Sequence, residues 1–150
     1  MRVLKWLQLY TSTLKNKTVA ITGSTGGIGR QLCNCLAKLG ADLLLVDRNY
    51  ERSQNFANHL SKTYDITVKC ITCDLENFST VKAITEKLKN EKIDIFIHNA
   101  GAYSIPRKIC DTGFDNVFQI NFLSPYYIIK QLLPQLKTVN GRVVVVGSIA

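Results

Sequence analysis

The sequence predicts an α/β fold built on a doubly wound parallel sheet of five strands. From about residue 17 onward, short apolar strand patterns alternate with longer amphipathic helical patterns, which is typical of βαβ units. Several strand patterns are uninterrupted apolar runs, and such runs indicate burial on both faces of a parallel sheet. Since crossovers between parallel strands are right-handed, helices should cover both faces of a sheet of the Rossmann type.

The elements follow one another in a regular order. We expect strands near residues 18–22, 42–46, 66–72, 93–97 and 142–147. We expect helices near residues 27–39, 50–63, 77–90 and 111–138. Pro125 has no N–H, so the carbonyl of Asn121 should lose its helical partner and the last helix should bend there.

An amphipathic pattern over residues 1–16 precedes a single domain over residues 17–150. Val3, Leu7, Tyr10 and Leu14 share one helical face, so we expect an N-terminal helix that packs against the domain. Docking of this helix on a membrane surface is the alternative. No run approaches the roughly 18 apolar residues of a membrane-spanning helix, so we expect no membrane span.

Charge and cysteine content indicate the class of protein and its partners. The net charge of +8 arises from 19 basic and 11 acidic residues, and the basic ones are scattered, so we expect no nucleic-acid partner. Five cysteines in a chain without a secretory signal indicate a reducing compartment, and we expect a cytoplasmic protein. Cys70 and Cys73 form a CxxC inside a strand, where residues three apart face opposite sides, so we expect no metal site.

A glycine-rich turn joins the first strand to the first helix in TVAITGSTGGIGRQLC. Gly23, Gly26, Gly27 and Gly29 lie where the chain turns tightly off a strand and where a side chain would block a pyrophosphate. The helix that begins near Gly27 would direct free N–H groups and the positive end of its dipole toward that anion. The turn and its strand–helix context therefore predict a dinucleotide-binding site.

Asp47 and Arg48 end the second strand and bear on which dinucleotide binds. A carboxylate at this distance from the turn accepts hydrogen bonds from the adenosine ribose and repels a 2′-phosphate, which favours NAD. The guanidinium of Arg48 is the kind of group that accepts the 2′-phosphate of NADP. We expect NAD to be favoured over NADP, with an ordinary polar strand end as the alternative interpretation of Asp47.

Four motifs in this order resemble the short-chain dehydrogenase/reductase family, from about residue 17 to residue 150. TGSTGGIG is similar to the family's cofactor turn, CDLE to its adenine contact, HNAG to its Asn-Ala-Gly element, and GRVVVVGS to the strand that delivers its catalytic serine. The Asn-Ala-Gly element belongs to the shorter dehydrogenase branch of the family. The resemblance implies an NAD(P)-dependent oxidoreductase whose cofactor-binding residues are Gly23, Ser24, Thr25, Gly27, Ile28, Gly29, Asp47, Arg48, Asp74, Leu75, Asn99, Ala100 and Gly101.

The same resemblance implies catalytic residues. Ser148 matches the family's catalytic serine, and Asn121 matches an asparagine that holds a water in a proton relay, with a buried polar residue at a kink as the alternative for Asn121. The family's general acid–base, a Tyr followed four residues later by a Lys, would lie after residue 150 together with further strands and helices. We therefore expect an incomplete domain and no turnover from these 150 residues alone. Tyr126 and Lys130 have the same spacing but precede the serine strand, so we interpret their spacing as coincidental.

The implied reaction is reversible hydride transfer between a nicotinamide and an alcohol or carbonyl carbon. The segment GFDNVFQINFLSPYYIIKQLLPQLK is most similar to retinol- and steroid-type members, which favours a lipophilic small-molecule substrate. We expect the full-length protein to be a homo-oligomer. A catalytically inactive nucleotide-binding module that ends at residue 150 is the alternative function.

His98 stands where the family commonly has Asn, and we interpret it as a hydrogen-bonded residue at a strand end rather than a catalytic one.

Overall fold

Five parallel strands form the centre of the molecule. They are β1 (Thr18–Thr22), β2 (Asp42–Asp47), β3 (Val68–Thr72), β4 (Ile95–His98) and β5 (Arg142–Val145). In this computed structural model, which describes residues 13–148, they make one sheet in the order β3-β2-β1-β4-β5. The chain first moves outward from β1 to β3 and then returns to place β4 on the other side of β1. This reversal creates a topological switch point between β1 and β4.

Helices connect the strands. They are α1 (Gly27–Lys38), α2 (Tyr50–Tyr64), α3 (Phe78–Lys89), the single turn α4 (Asn116–Phe118) and α5 (Ser124–Thr138). Asparagine caps begin α2 and α3. The side-chain oxygen of Asn49 accepts a hydrogen bond from the N–H of Arg52, and that of Asn77 accepts from the amides of the first turn of α3.

The two faces of the sheet bury separate apolar clusters, because successive residues of a strand point to opposite faces. The cluster under α3 and α5 contains Ala20, Leu44, Val46, Phe96, Val81, Ile84, Leu88, Ile128, Leu132 and Leu136. The cluster under α1 and α2 contains Val19, Ile21, Leu43, Leu45, Ile97, Cys33, Ala37, Phe56, Ala57 and Leu60. The doubly wound α/β fold expected from the sequence is confirmed.

The central strands follow the sequence-based boundaries more closely than the outer ones. β1 occupies the expected residues, and β2 extends one residue further to Asp47. β3 begins at Val68, β4 covers 95–98 rather than 93–97, and β5 ends at Val145, which is 59% exposed. Burial on both faces therefore applies to β1 and β2, whereas β3 and β5 are the partly exposed edges of this sheet.

The expectation of one helix over residues 111–138 is wrong at its start. The helix begins at Asn116, and Gln119–Leu123 form a π-helical turn before α5. The amide of Ser124 donates to the carbonyl of Gln119, five residues earlier. This wider turn comes directly before Pro125, which has no N–H for an α-helical hydrogen bond, so the expected bend takes the form of a π-helical turn. Residues 111–115 belong instead to a loop closed by a bridge between Ile109 and Asp115.

Three further expectations concern the N-terminus, the cysteines and the membrane. The helix expected over residues 1–16 lies mostly outside the described residues, and residues 13–16 form no helix. Cys70 and Cys73 pack into the clusters on opposite faces of the sheet, as their spacing in a strand predicts. Within residues 13–148 no group of side chains is arranged to hold a metal ion. No helix in that range is long and apolar enough to cross a membrane.

Candidate cofactor site

A cleft of about 660 Å³ opens at the carboxyl ends of β1 to β4. It lies at the switch point of the sheet, where doubly wound folds bind their ligands. The opposite wall is the loop that follows β4, residues 100–108. Of the cofactor-binding residues expected from the sequence, those that line the cleft are Gly23, Asp47, Arg48, Asp74, Leu75, Ala100 and Gly101.

Two glycines of the turn cannot carry a side chain, because other atoms of the protein occupy the space. Gly23 has a φ of +68°, and a Cβ there would lie 2.8 Å from the Cα of Ala100. A Cβ on Gly29 would lie 2.1 Å from the carbonyl oxygen of Gly23. Both distances are shorter than real atoms tolerate, so a side chain at either position would displace the turn.

Gly27 differs from these two, because a Cβ there would meet nothing within 4 Å. Gly27 and Ile28 begin α1 at the surface, and among the described residues no side chain caps this helix start. The first N–H groups of α1 therefore remain available, with the positive end of the helix dipole behind them. The start of α1 has the properties of an anion site, and the missing side chain at Gly27 leaves room for the anion.

The hydroxyl of Thr22 joins β1 to the Asn-Ala-Gly segment that follows β4. Its oxygen accepts hydrogen bonds from the amides of Asn99 and Ala100, each at 3.1 Å. The same oxygen lies 2.9 Å from Nδ1 of His98. A hydroxyl has two acceptor lone pairs and one hydrogen, so with both lone pairs engaged the hydrogen is donated to Nδ1. A neutral His98 therefore carries its proton on Nε2.

His98 is buried in its neutral form. Only 2% of the residue is exposed, and burial lowers its pKa to about 4. Protonation would place a hydrogen on Nδ1 and remove the acceptor that Thr22 requires. The interpretation of His98 as a hydrogen-bonded residue at a strand end is confirmed by this contact.

Asn99 fixes the beginning of the glycine turn with its side chain. Its side-chain nitrogen donates to the carbonyl of Thr22 at 3.2 Å and to that of Gly23 at 3.0 Å. A Cβ on Gly29 would approach this nitrogen at 2.9 Å. The glycine turn and the Asn-Ala-Gly segment thus pack as one unit, although they are far apart in the sequence.

Asp47 supports the turn from the opposite side. Only 7% of it is exposed. One carboxylate oxygen accepts from the hydroxyl of Ser24, and the other accepts from the N–H and the hydroxyl of Thr25, at 3.4 and 3.2 Å. Burial raises the pKa of Asp47, and the hydrogen bonds from Ser24 and Thr25 oppose that rise. Ser24 and Thr25 are buried against Asp47 and do not line the cleft among the described residues.

The cleft wall after β3 is tied to the π-helical turn. The carbonyl of Leu75 accepts from the hydroxyl of Ser124 at 2.8 Å and from the side chain of Gln119 at 3.3 Å. Gln119 is fully buried and also donates to the carbonyl of Glu76. Gln119, Ser124 and Thr22 were not expected as site residues. A polar side chain on the buried side of an amphipathic helix or at the end of a buried strand is the signal that indicates them.

The two expected catalytic residues lie at the same edge of the sheet but, in the part of the chain that the structure describes, outside the cleft lining. Asn121 exchanges two hydrogen bonds with the backbone of Ala102, each of 2.8 Å. Ser148 is exposed and follows β5. Because β4 and β5 are parallel neighbours, Ser148 and the loop that contains Ala102 leave the sheet at the same edge.

Comparisons with known proteins agree on one family. The family model described as short chain dehydrogenase matches residues 17–150. The chain is 35% identical over 130 residues to the short chain dehydrogenase resG of Aspergillus sclerotiorum, covering 84% of this chain and 36% of that protein. It is 29% identical over 143 residues to retinol dehydrogenase 13 of Mus musculus, covering 93% of this chain and 43% of that protein.

A solved structure agrees with these relatives. The short-chain dehydrogenase from Sphingobium yanoikuyae in complex with NADPH is 26% identical and superposes with a TM-score of 0.79, covering 89% of this chain and 54% of that chain. The chain therefore spans less than half the length of the two curated relatives and about half of the solved one.

Proposed function

Because the chain belongs to the short-chain dehydrogenase family, we propose that its protein is an NAD(P)-dependent oxidoreductase that transfers a hydride between a nicotinamide and an alcohol or carbonyl carbon. The observation that carries the proposal is the cleft at the switch point, bordered by a turn in which Gly23 and Gly29 are sterically required. The cofactor supplies the hydride chemistry. The protein supplies binding, orientation and proton transfer.

The residues of this chain suit different parts of the dinucleotide. Gly27 and Ile28, at the uncapped start of α1, would bind the pyrophosphate through backbone N–H groups. Asp74 and Leu75, on the cleft wall after β3, would contact the adenine ring. The segment 99–101, after β4, would lie beside the rest of the cofactor.

We assign polar roles in the reaction to Asn121 and Ser148. Ser148 would hold the substrate oxygen, and Asn121 would support a proton relay from the loop at Ala102 that it already binds. Neither side chain has a proton-transfer pKa near neutrality, so the reaction needs a further acid–base group. The family resemblance assigns that role to a Tyr assisted by a Lys.

Spectrophotometry of NAD(P)H formation tests the proposal directly. The intact protein should reduce the oxidised cofactor in the presence of an alcohol substrate, and Ser148→Ala should lower kcat by about 10²-fold or more while cofactor affinity stays unchanged. Binding of NAD or NADP without any turnover on alcohols and ketones would favour the second candidate, an inactive nucleotide-binding module.

The cytoplasmic location and the lack of a nucleic-acid partner stay predictions.

The finer prediction that NAD is favoured over NADP depends on repulsion between Asp47 and a 2′-phosphate. Three observations weigh against it: the burial of Asp47, the exposed Arg48 beside it at the cleft, and the NADPH in the similar structure from Sphingobium yanoikuyae. The preference for NAD over NADP stays a prediction from the sequence, and none of these three observations supports it. Calorimetric titration of both cofactors tests it, and a lower Kd for NADP would contradict it.

We propose a lipophilic alcohol or ketone as the substrate. The proposal is supported by the similarity to retinol dehydrogenase 13, whose name gives a lipophilic alcohol, and by the resemblance of residues 113–137 to retinol- and steroid-type members. A screen of the intact protein against retinoids, steroids and sugar alcohols tests the substrate class. Turnover confined to the sugar alcohols would contradict it.

We propose a homo-oligomer, supported by a stripe of exposed aromatic side chains. Phe114, Phe118, Phe122 and Tyr126 are each between 43% and 55% exposed. Their successive ring centroids lie 5.3, 5.2 and 6.0 Å apart, so the stripe is continuous. Exposed apolar surface of this continuity is uncommon in monomers, and a second copy of the chain would cover it.

Light scattering after size-exclusion chromatography tests the oligomer. The pair Phe118→Ser and Phe122→Ser should convert the oligomer to a monomer. Tyr50→Ser is the matched control, because Tyr50 is 56% exposed at the start of α2 and lies away from the stripe in the sequence. A monomeric wild-type protein would contradict the proposal.

A further inference from the structure

The segment 116–124 lies beneath the cofactor cleft and has polar contacts with both of its walls. It comprises α4, the π-helical turn and the first residue of α5. Two of its residues, Asn116 and Ile120, line the cleft and form its floor. Gln119, directly before Ile120, is 0% exposed. A buried amide needs partners within the protein, so the contacts of Gln119 show what this segment is joined to.

The wall after β3 is held to this segment through two successive carbonyls. The side-chain nitrogen of Gln119 donates to the carbonyl of Glu76 and, at 3.3 Å, to that of Leu75. The hydroxyl of Ser124 donates to the same carbonyl of Leu75 at 2.8 Å. Residues five apart in an α-helix lie about 140° apart around the axis, and the wider π-helical turn brings these two side chains to one side.

The loop after β4, on the opposite side of the cleft, is held by the same segment. The side chain of Asn116 accepts from the amide of Lys108 at 3.3 Å and donates to the carbonyl of Pro106 at 3.1 Å. Further along this loop, the hydroxyl of Thr112 donates to the side-chain oxygen of Gln119. Gln119 therefore contacts both loops, with its oxygen on one and its nitrogen on the other.

Thr112 determines which way the amide of Gln119 faces. The oxygen of an amide only accepts hydrogen bonds, and its nitrogen only donates them. With the hydroxyl of Thr112 donating to the oxygen, the nitrogen faces the carbonyls of Leu75 and Glu76. A reversed amide would place its oxygen against two carbonyl oxygens, which have no hydrogen to donate.

We propose that Gln119, oriented by Thr112, is a positioning residue for the adenine half of the cofactor. It would do so by fixing the separation between Leu75, on the wall after β3, and Ile120, on the floor of the cleft. This inference rests on the proposed binding of NAD(P), with the adenine ring at Asp74 and Leu75. It predicts weaker binding of every ligand that contains adenosine diphosphate, and little change in the rate once the cofactor is saturating.

Gln119→Met tests this prediction, because it removes the amide and nearly preserves the length of the side chain. By calorimetry of the intact protein, the Kd values for NAD, NADP and ADP-ribose, which lacks the nicotinamide, should all rise by about tenfold. In steady-state kinetics the KM for the cofactor should rise by a similar factor, and kcat should stay within about twofold of wild type.

Two results with Gln119→Met would overturn the inference. A lower kcat at unchanged KM would mean that Gln119 acts through Asn121, two residues later, or only maintains the amount of folded protein. A rise in the Kd for NAD that ADP-ribose does not share would place the effect at the nicotinamide half.

Thr112→Val is a milder variant, which applies even if Gln119→Met does not fold. It keeps the shape of the side chain but removes the hydroxyl that orients Gln119, so the Kd values for NAD and ADP-ribose should rise by about threefold. Thr138→Val is the matched control, because the hydroxyl of Thr138 also donates to a carbonyl, that of Gln135 at 2.7 Å, at the exposed end of α5. Equal Kd values in the two threonine variants would overturn the inference.

Hydrogen exchange in the free protein separates this inference from the proposed function. The carbonyls of Leu75 and Glu76 share their peptide groups with the amides of Glu76 and Asn77, which donate to the side chain and the carbonyl of Asp74, each at 3.1 Å. Thr112→Val should accelerate exchange of these two amides, and the control variant should not. This pattern would support the positioning of the wall even if calorimetry detected no dinucleotide binding, in which case the proposed function would fail by itself. Unchanged exchange in Thr112→Val would overturn the inference whatever the cofactor result.

Discussion

The two strands beside β1 support the glycine-rich turn by different chemistry. On the β4 side the supporting groups are uncharged. The hydroxyl of Thr22 forms hydrogen bonds with two amides and with the imidazole of His98. The side-chain nitrogen of Asn99 donates to the carbonyl of Gly23. On the β2 side a single carboxylate, Asp47, holds Ser24 and Thr25. The β4 support is a connected network, whereas the β2 support consists of one side chain and a backbone hydrogen bond of 3.0 Å from Gly23 to the carbonyl of Val46.

This difference indicates which part of the turn is more tightly constrained. The β4 side adds steric constraints to its hydrogen bonds, since a Cβ on Gly23 would overlap the backbone of Ala100 and a Cβ on Gly29 would approach the side-chain nitrogen of Asn99 at 2.9 Å. The β2 side consists of hydrogen bonds alone, with donor–acceptor distances of up to 3.4 Å at Thr25. We therefore expect changes on the β4 side to have larger effects than changes on the β2 side.

The largest effect should come from Gly29→Ala. The added Cβ would lie 2.1 Å from the carbonyl oxygen of Gly23, a backbone atom that cannot move without displacing the turn. We expect the free energy of unfolding to fall by about 3 kcal/mol or more, and cofactor binding to be lost. Gly27→Ala is the control, since its Cβ meets nothing within 4 Å. It should unfold like wild type in urea while its cofactor affinity falls, and equal stability losses in both variants would contradict the steric assignment.

Thr22→Val should have the next largest effect, because it keeps the shape of the side chain but removes the shared hydroxyl. The amides of Asn99 and Ala100 and the Nδ1 of His98 would each lose a buried partner. We expect the free energy of unfolding to fall by about 3 kcal/mol. Thr22→Ser, which keeps the hydroxyl, should recover most of this loss in the same denaturant titration. Equal losses in Val and Ser variants would show that the hydroxyl is not the cause.

Acid should weaken the β4 support through His98. Its pKa in the folded protein is about 4, below the ordinary value of 6.5, so the unfolded chain takes up a proton first as the pH falls. The contribution of His98 to stability is complete above pH 6.5 and decreases between pH 6.5 and about 4. The free energy of unfolding should fall by about 2 kcal/mol between pH 7 and pH 5 because of His98, and His98→Asn should remove that part of the pH dependence.

Nitrogen-15 NMR provides a separate test of His98. At pH 7 the ring should be neutral, with the proton on Nε2 and an unprotonated Nδ1, because Nδ1 accepts from Thr22. A ring protonated on Nδ1 would contradict the hydrogen-bond assignment at Thr22.

The smallest effect should come from Thr25→Val on the β2 side. This change removes one hydroxyl that donates to Asp47 at 3.2 Å and leaves the amide of residue 25 and the hydroxyl of Ser24 in place. We expect a loss of about 1 kcal/mol in the free energy of unfolding, measured in urea at pH 7. A loss as large as that of Thr22→Val would show that the two supports are equally strong.

The sequence by itself determined the order and type of most elements. β1 was predicted with its observed bounds because a buried apolar run is followed at once by Gly23 and the turn. The glycine turn and the fold class also followed from local patterns, since the spacing of apolar residues and glycines depends on neighbours in the chain. The Asn-Ala-Gly segment followed only from the family resemblance. The edge strands β3 and β5 were placed less accurately, because their exposure depends on what lies beside them in the sheet.

Only the tertiary structure decided what the site residues contact. Asp47 lies 23 residues after Ser24, and their contact cannot be read from either segment alone. His98 and Thr22 are 76 residues apart and meet only because β4 pairs with β1 rather than with β3. The contacts of Gln119 and Ser124 with the carbonyl of Leu75, in the loop after β3, likewise join segments that are distant in the sequence. Local periodicity records which face of an element is buried, but strand order and long-range hydrogen bonds arise when distant elements pack together.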